Sequence, residues 1–196
     1  MKRLAALTMA VAALTAACGS DDDGGTAADT TAAGADAPSE GFNEADVTFA
    51  QGMIPHHEQA VEMAELAAER AESDEVRELA SGIAAAQDPE IETMAGWLED
   101  WDETVEGGDD MSGDMSGEME MGGMMSDEDM QMLEDAEGAS FDQQFLEMMG
   151  DHHRGAIEMA ETELSDGEFP DALALAQEIV DTQTAEIAEI EALLEA

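Results

Sequence analysis

The sequence predicts an all-α protein, an antiparallel four-helix bundle made of two repeated helical hairpins. Three observations predict it: an internal repeat, apolar residues spaced at the helical period, and short polar breaks between the periodic segments. At an offset of ninety-six positions Asp46 matches Asp142, Phe49 matches Phe145 and Met53 matches Met149. The pair His56 and His57 coincides with His152 and His153, followed by Ala60 with Ala156, Glu62 with Glu158 and Met63 with Met159. Past a break, "LASGIAAAQDPEIETMAGWL" (79–98) aligns with "LAQEIVDTQTAEIAEIEALL" (175–194), sharing Leu-Ala, Ile, Gln, Glu-Ile and the final Leu. Each repeat is therefore two segments long, and two copies make four.

The first segment spans 43–71. At 100° per residue, Phe49, Met53, His56, His57, Ala60, Met63, Ala64 and Ala67 fall within one arc of roughly 120°. Gln51, Glu58, Glu62, Glu65 and Glu69 take the opposite side, the pattern of a half-buried helix. In the second segment, 74–102, Val76, Leu79, Ala80, Ile83, Gln87, Ile91, Met94, Trp97, Leu98 and Trp101 share one stripe. Pro55 and Pro89 each remove an internal hydrogen bond and are expected to kink their helices. The third segment, 140–164, opens on a Ser140-x-x-Gln143 pattern that predicts a capping box. The fourth, 169–195, has Pro170 where a first helical turn accepts it. The short turn inside each hairpin makes its two helices antiparallel neighbours, and the intact bundle occupies 43–102 and 140–196.

Outside the bundle, Lys2 and Arg3 precede the apolar run "LAALTMAVAALTAA" and then Cys18, the chain's one cysteine. This pattern resembles a bacterial lipoprotein signal over 1–17 with a lipidated Cys18, although Thr15 stands where such signals place Leu. A lipid on Cys18 would anchor the protein to the cell membrane, facing the extracytoplasmic side. Residues 18–42, "CGSDDDGGTAADTTAAGADAPSEGF", hold almost no large apolar side chain and are expected to form a disordered acidic tether.

Fifty acidic residues face five basic ones, for a formal charge of −45. Loss of the signal removes Lys2 and Arg3 and moves the charge to −47, with Arg70, Arg77 and Arg154 the remaining cations. Such a surface repels nucleic acid and anionic headgroups, which excludes nucleic acid as a partner. Solubility in a saline habitat and attraction of metal cations both account for the acidity, and charge alone marks no site.

The four histidines are all the chain has, and all lie on the buried stripes. A lone histidine there is most often a satisfied core residue. Here that explanation must cover two adjacent pairs, each with a methionine three residues before its first member and another six after its second. It must also cover Gln87 and Gln183, polar residues on apolar stripes. Left unpaired, each such group costs about 1–3 kcal/mol, and a shared ligand satisfies them together. Imidazole with thioether is a soft-to-borderline donor set that suits copper, Cu(I) above Cu(II). Zinc rarely takes methionine. A di-iron carboxylate site needs Glu-x-x-His, whereas Met53, Ile54, Met149 and Gly150 stand three before the four histidines. The candidate ligands are Met53, His56, His57, Met63, Met149, His152, His153 and Met159.

Residues 103–139 join the hairpins. Eight of the sixteen methionines lie in "MSGDMSGEMEMGGMMSDEDMQM" (111–132), among Gly, Ser and acids. Glycines inside it and the lack of an aliphatic partner before Leu133 argue against a packed helix there. Met111, Met115, Met119, Met121, Met124 and Met125 are candidate auxiliary Cu(I) ligands. The rival reading is an acidic linker in which methionine is incidental.

The tandem "FAQGMIPHHEQAVEMAE" and "FLEMMGDHHRGAIEMAE", each followed by the Leu-Ala, Ile, Gln, Glu-Ile pattern, resembles the bacterial DUF305 family over about 43–102 and 140–195. The resemblance implies an exported, ferritin-like four-helix protein, some relatives being periplasmic copper binders implicated in copper resistance. It implicates the same Met53, His56, His57 and Met63 and the same Met149, His152, His153 and Met159. Gly150-Asp151 and Arg154 depart from the pattern, and a cation beside His153 is expected to weaken the second site.

Three function classes follow. The first is an extracytoplasmic copper-binding lipoprotein that sequesters copper or transfers it to a protein partner of unknown identity. The second is a copper-dependent or di-metal oxidase. The third is a structural or interaction bundle with its histidines in a buried polar layer. No nucleophile–base constellation, phosphate loop or nucleotide fingerprint appears and tyrosine is absent, which favours binding over catalysis.

Overall fold

The computed structural model describes residues 41–105 and 122–196. The signal, Cys18, the tether up to residue 40, and Met111, Met115, Met119 and Met121 lie outside the described residues. Among the described residues, five helices and no strand are present: α1 Glu44–Arg70, α2 Asp74–Asp100, α3 Asp127–Asp135, α4 Ala139–Asp166 and α5 Pro170–Leu194. None of them is long and apolar enough to cross a membrane.

Each long helix begins where local chemistry stops the chain from fraying. Asn43 accepts from the amides of Ala45 and Asp46 while Asp46 accepts from the Asn43 amide at 2.6 Å, a reciprocal capping box. Ser73 caps α2 through the Val76 amide. Pro170 occupies the first turn of α5, as expected. The expected Ser140 capping box does not form. The helix starts a residue earlier, from Gly138 at φ +63°, and the Ala139 amide donates to the Glu72 carboxylate instead. Pro55 and Pro89 sit inside helices that run on uninterrupted, the burial of their apolar faces offsetting one lost hydrogen bond each.

The short α3 is an addition to the four-helix expectation and falls partly within the stretch read as unable to pack. Ser126 and Asp129 form its capping box, and Leu133, fully buried, plugs it against α1 and α4. Met130 and the buried Ala136 that ends the helix pack beside it on the same core.

The hairpins are joined head to tail. The Asn43 side chain donates to the Asp166 carbonyl, and the Gly138 amide donates to the Arg70 carbonyl, so α1 and α4 run antiparallel. Matched aspartates clasp the opposite hairpin's turn. Asp46 accepts from the amides of Glu168 and Phe169 at 3.1 and 2.9 Å, and Asp142 from those of Glu72 and Ser73 at 3.0 and 2.9 Å. This reciprocity is the pseudo-two-fold that the repeat implied.

The core divides in two. One apolar cluster gathers Met63, Leu79, Ile83, Leu133, Phe141, Phe145 and Met149. The other gathers Phe49, Met53, Met94, Leu98, Ala160 and Ile179, with Trp97, Trp101 and Phe169 packed on it. Both pair positions count from the same histidines, so the residues between the clusters are the histidine pairs.

Candidate metal centre

All four histidines are fully buried, His56 and His57 midway along α1, His152 and His153 midway along α4. Adjacent residues on a helix point about 100° apart, so each pair sends its two rings in different directions. The first members meet: His56 and His152 have ring centroids 3.8 Å apart at a tilt of 42°. The second members turn to the outer helix of their own hairpin. His57 Nε2 lies 2.7 Å from Glu90 Oε2 on α2, and His153 Nε2 lies 2.8 Å from Glu186 Oε2 on α5. The first contact is aligned as a hydrogen bond; the second has the distance but not the angle. The His56–His152 contact therefore brings the two pairs to one level of the bundle, a histidine layer across its middle.

Each outward partner fixes what the ring offers inward. A carbonyl only accepts, so His56, whose Nε2 stands 3.2 Å from the Gly122 oxygen, carries its proton on Nε2. His57 likewise gives its Nε2 proton to Glu90. In both rings Nδ1 is buried without a partner. No aligned hydrogen bond reaches either nitrogen of His152, although the His56 backbone lies beside it, and none reaches either nitrogen of His153, either amide atom of Gln87 or the Gln183 oxygen. Buried polar atoms are seldom left so, and these are groups that a ligand could satisfy. Burial pushes His56 down to about 4, with His57 and His153 adding to the shift and the Gly122 carbonyl opposing it. Burial, and then the neighbouring His56, His153 and His57, hold His152 well below the usual histidine range. Both are neutral at pH 7, the form that binds a metal.

The methionines sort by the antiparallel register. Met53 and Met149 are fully buried, one turn before His56 and His152. Met63 is buried, and Met159 half-buried, each six residues past its pair and thus about 9 Å along the axis. Because the helices oppose, Met53 and Met159 pack on one side of the layer and Met63 and Met149 on the other. Among the described residues no three His, Cys, Asp or Glu side chains already converge as a ready cage. Of the auxiliary set, Met124 and Met125 lie in the described chain, half-buried where it returns across α1.

Arg154 does not act on the layer as expected. Its side chain is half exposed and pairs with Asp151 at 2.7 Å and Glu191 at 3.3 Å, on the solvent side of α4. Glu90 and Glu186 were not singled out from the sequence. Their signal was present, since they are the Glu of the repeated Glu-Ile, three residues after Gln87 and Gln183.

A second buried polar pair sits at the far end of the bundle. Asp46 and Glu163 are both buried, and the Glu163 oxygens have no donor available to them. Burial and the neighbouring Asp46 raise the Glu163 carboxyl to about 8, so at neutral pH it keeps its proton and can donate to Asp46. Burial works against the charge on Asp46, but hydrogen bonds from Glu163, Phe169, Asn43 and Glu168 outweigh it and hold the carboxyl below its usual value.

The family described as "Domain of unknown function (DUF305)" matches residues 46–194. No curated protein matches the chain. Among solved structures, a DUF305 protein of Streptomyces coelicolor described as secreted is 34% identical, with a TM-score of 0.69 over 77% of this chain and 92% of its own. A DUF305 fragment from Deinococcus radiodurans is 31% identical, with a TM-score of 0.67 over 78% and 97%. CopM in its Cu(II)-bound form is 32% identical, with a TM-score of 0.65 over 76% and 95%, and CopM also matches in Cu(I)-bound, silver-bound and apo forms.

Proposed function

Since the chain belongs to the DUF305 family, we propose that it is an extracytoplasmic copper-binding lipoprotein, anchored through Cys18, that sequesters or hands over copper, chiefly as Cu(I). One observation carries the reading: four buried histidines in one layer, two of them held neutral, with Nδ1 atoms buried without a partner and a buried methionine one turn away on each inner helix. The match to CopM in Cu(I)-, Cu(II)- and silver-bound forms supports the same chemistry, since silver and Cu(I) are both soft ions. The secreted description of the Streptomyces relative supports export.

His56, His57, His152 and His153 would be the principal ligands, with Met53 and Met149 the nearest thioethers. Met63 and Met159 would serve only a second ion or a displaced one. Glu90 and Glu186 would orient the second histidine of each pair. The chain would act by stoichiometric binding, not turnover.

The test is Cu(I) titration of the soluble domain against a chelator, with Cu(II) and Zn(II) as competitors. In a shared layer, replacing His56 and His57 by Gln removes nearly all the tightly held copper; separate sites would leave about half. Unchanged affinity after replacement of all four histidines, with helix content preserved, would sink the reading. Catalytic oxygen consumption on supplying Cu(I) in excess would make the protein an oxidase instead.

A further inference from the structure

The chain re-enters the described structure at Gly122 and at once crosses the α1–α4 face, directly over the histidine layer. Three contacts hold it there. The Gly122 carbonyl accepts from His56 Nε2 at 3.2 Å. Gln59, on α1, grips the backbone of Met125 on both sides: its amide donates to the Met125 carbonyl at 2.9 Å, and the Met125 amide donates back at 2.7 Å. Beneath this stretch of chain lies Gly155 on α4. A Cβ added there would run into the Gly122 carbonyl group, and the nearest atoms all belong to Gly122 and Gly123. Gly123 itself adopts φ +85°, and a Cβ on it would sit 2.6 Å from the Asp151 carbonyl oxygen. Only glycines can stack this closely. Downstream, the Ser126 capping box and the buried Leu133 of α3 fasten the segment to the bundle.

We propose that residues 122–125 form a strap that gates the layer. Docked, it occupies His56 and covers the His56–His152 contact; undocked, it opens the α1–α4 face to a copper ion. The proposal rests on the copper reading of that layer. Two features make the strap a gate rather than a fixed wall. Over Gly122 and Gly123 it buries no side chain, so its hold over the layer consists of a few hydrogen bonds, each of small net worth, and the packing of half-buried Met125 lies beyond it. It is also tethered at α3, so release is a local opening that leaves the bundle intact, the kind of low-cost motion expected of elements that admit ligands. An ion would meet the unpartnered Nδ1 of His56 while Gly122 keeps the Nε2 proton, so the strap governs entry to the layer and does not compete for the ligand atom.

Two variants of the full chain test this. Gly155→Ala removes the seat while favouring the helix. Gln59→Ala removes the clasp. A metal-free probe, diethyl pyrocarbonate, reports whether His56 and His152 are reachable, and chelator-buffered Cu(I) reports uptake. Both variants should carbethoxylate His56 and His152 roughly tenfold faster than wild type, the change expected from losing one or two hydrogen bonds. Both should take up Cu(I) correspondingly faster, with helix content unchanged. Unaltered modification rates in both variants overturn the gate. So does weaker or slower Cu(I) binding alongside faster modification, which would make the strap part of the site. Failure of wild type to bind Cu(I) defeats the copper reading alone, and the modification rates still decide the strap.

Discussion

A neutral imidazole has one lone pair, and the partner of its other nitrogen decides where that pair points. Glu90 acts through this rule, since it takes the Nε2 side of His57 and leaves Nδ1 as the free nitrogen, and Glu186 stands at the matching distance from His153. Glu90→Gln keeps the shape but can present either an oxygen or an amide to the ring, so the tautomer is no longer fixed. Cu(I) affinity should fall about 10- to 100-fold, the usual cost of removing an outer partner of a histidine ligand. Chelator competition checks the affinity, and the His57 ring nitrogen shifts in metal-free protein check the tautomer; an unmoved tautomer would remove Glu90 from the site. The histidines, Gln87, Gln183 and their flanking methionines were legible in the sequence, because helical periodicity alone puts them on buried faces. The glutamates were not. A carboxylate at the edge of a helix in a chain with fifty acids looks like solvated surface, and only the packing of α2 against α1 shows that Glu90 turns inward. Arg154 was misjudged for the converse reason: adjacency in sequence to His153 says nothing about direction, and one residue along a helix is a turn of about 100°.

At the scale of elements, the repeat foretold two hairpins and matched Asp46 with Asp142, but not what the matched pair does. Each carboxylate leaves its own helix to satisfy turn amides of the other hairpin. No local pattern encodes that contact, which spans about seventy residues in one case and over a hundred in the other. Asp142→Ala should therefore lower stability by about 1–3 kcal/mol, the range for a charged acceptor serving backbone amides. Asp46→Ala should cost more, because Asp46 is fully buried and also faces Glu163. Denaturant midpoints at constant slope would rank the two, and a reversed order would mean that burial does not set the strength of these clasps. The four long helices were legible for the same reason the histidines were, since twenty-five or more residues of period 3.6 leave little ambiguity. The nine residues of α3 were not, as Leu133 is the one buried residue, Met130 only packs beside the core, and the surrounding Gly, Met and acids read as linker. The start of α4 shifted by a residue because Gly138 can adopt a positive φ that the Ser140 pattern did not consider.

The whole molecule is a bundle with two apolar halves, buried histidines between them, of which His56 and His152 are held towards the neutral form, and at one end a carboxyl, Glu163, pushed towards its protonated form. Those two buried polar features impose opposite dependences on pH. His56 titrates near 4 in the folded chain and near 6.5 unfolded, and His152 is displaced in the same direction. Between those values the unfolded chain binds protons that the folded one refuses, so stability rises with pH up to about 6.5. Glu163 behaves inversely. Its folded value is about 8 against 4.5 unfolded, so the folded chain keeps a proton that the unfolded one has released. That contribution is complete below 4.5 and is lost as pH climbs to 8, where a charged Glu163 would face Asp46 and Asp166 in a buried setting. Between 4.5 and 6.5 the two histidines outweigh the one carboxyl; above 6.5 only the carboxyl's decline remains. Metal-free protein should accordingly be most stable near pH 6.5 and weaken towards 8, the reverse of what a chain held by ordinary paired carboxylates would do. Glu163→Gln, which supplies a permanent donor to Asp46, should flatten the fall above 6.5 and steepen the rise between 4.5 and 6.5, where the carboxyl no longer opposes the histidines. His56→Gln should reduce the slope of the rise and leave the fall. Urea unfolding across pH 4.5 to 8.5 at fixed ionic strength, so that repulsion among the surface acids is held constant, reads both limbs. A wild-type curve that keeps rising from 6.5 to 8 would show that Glu163 is already ionised in the folded chain, and the buried carboxyl pair would then need a different partner.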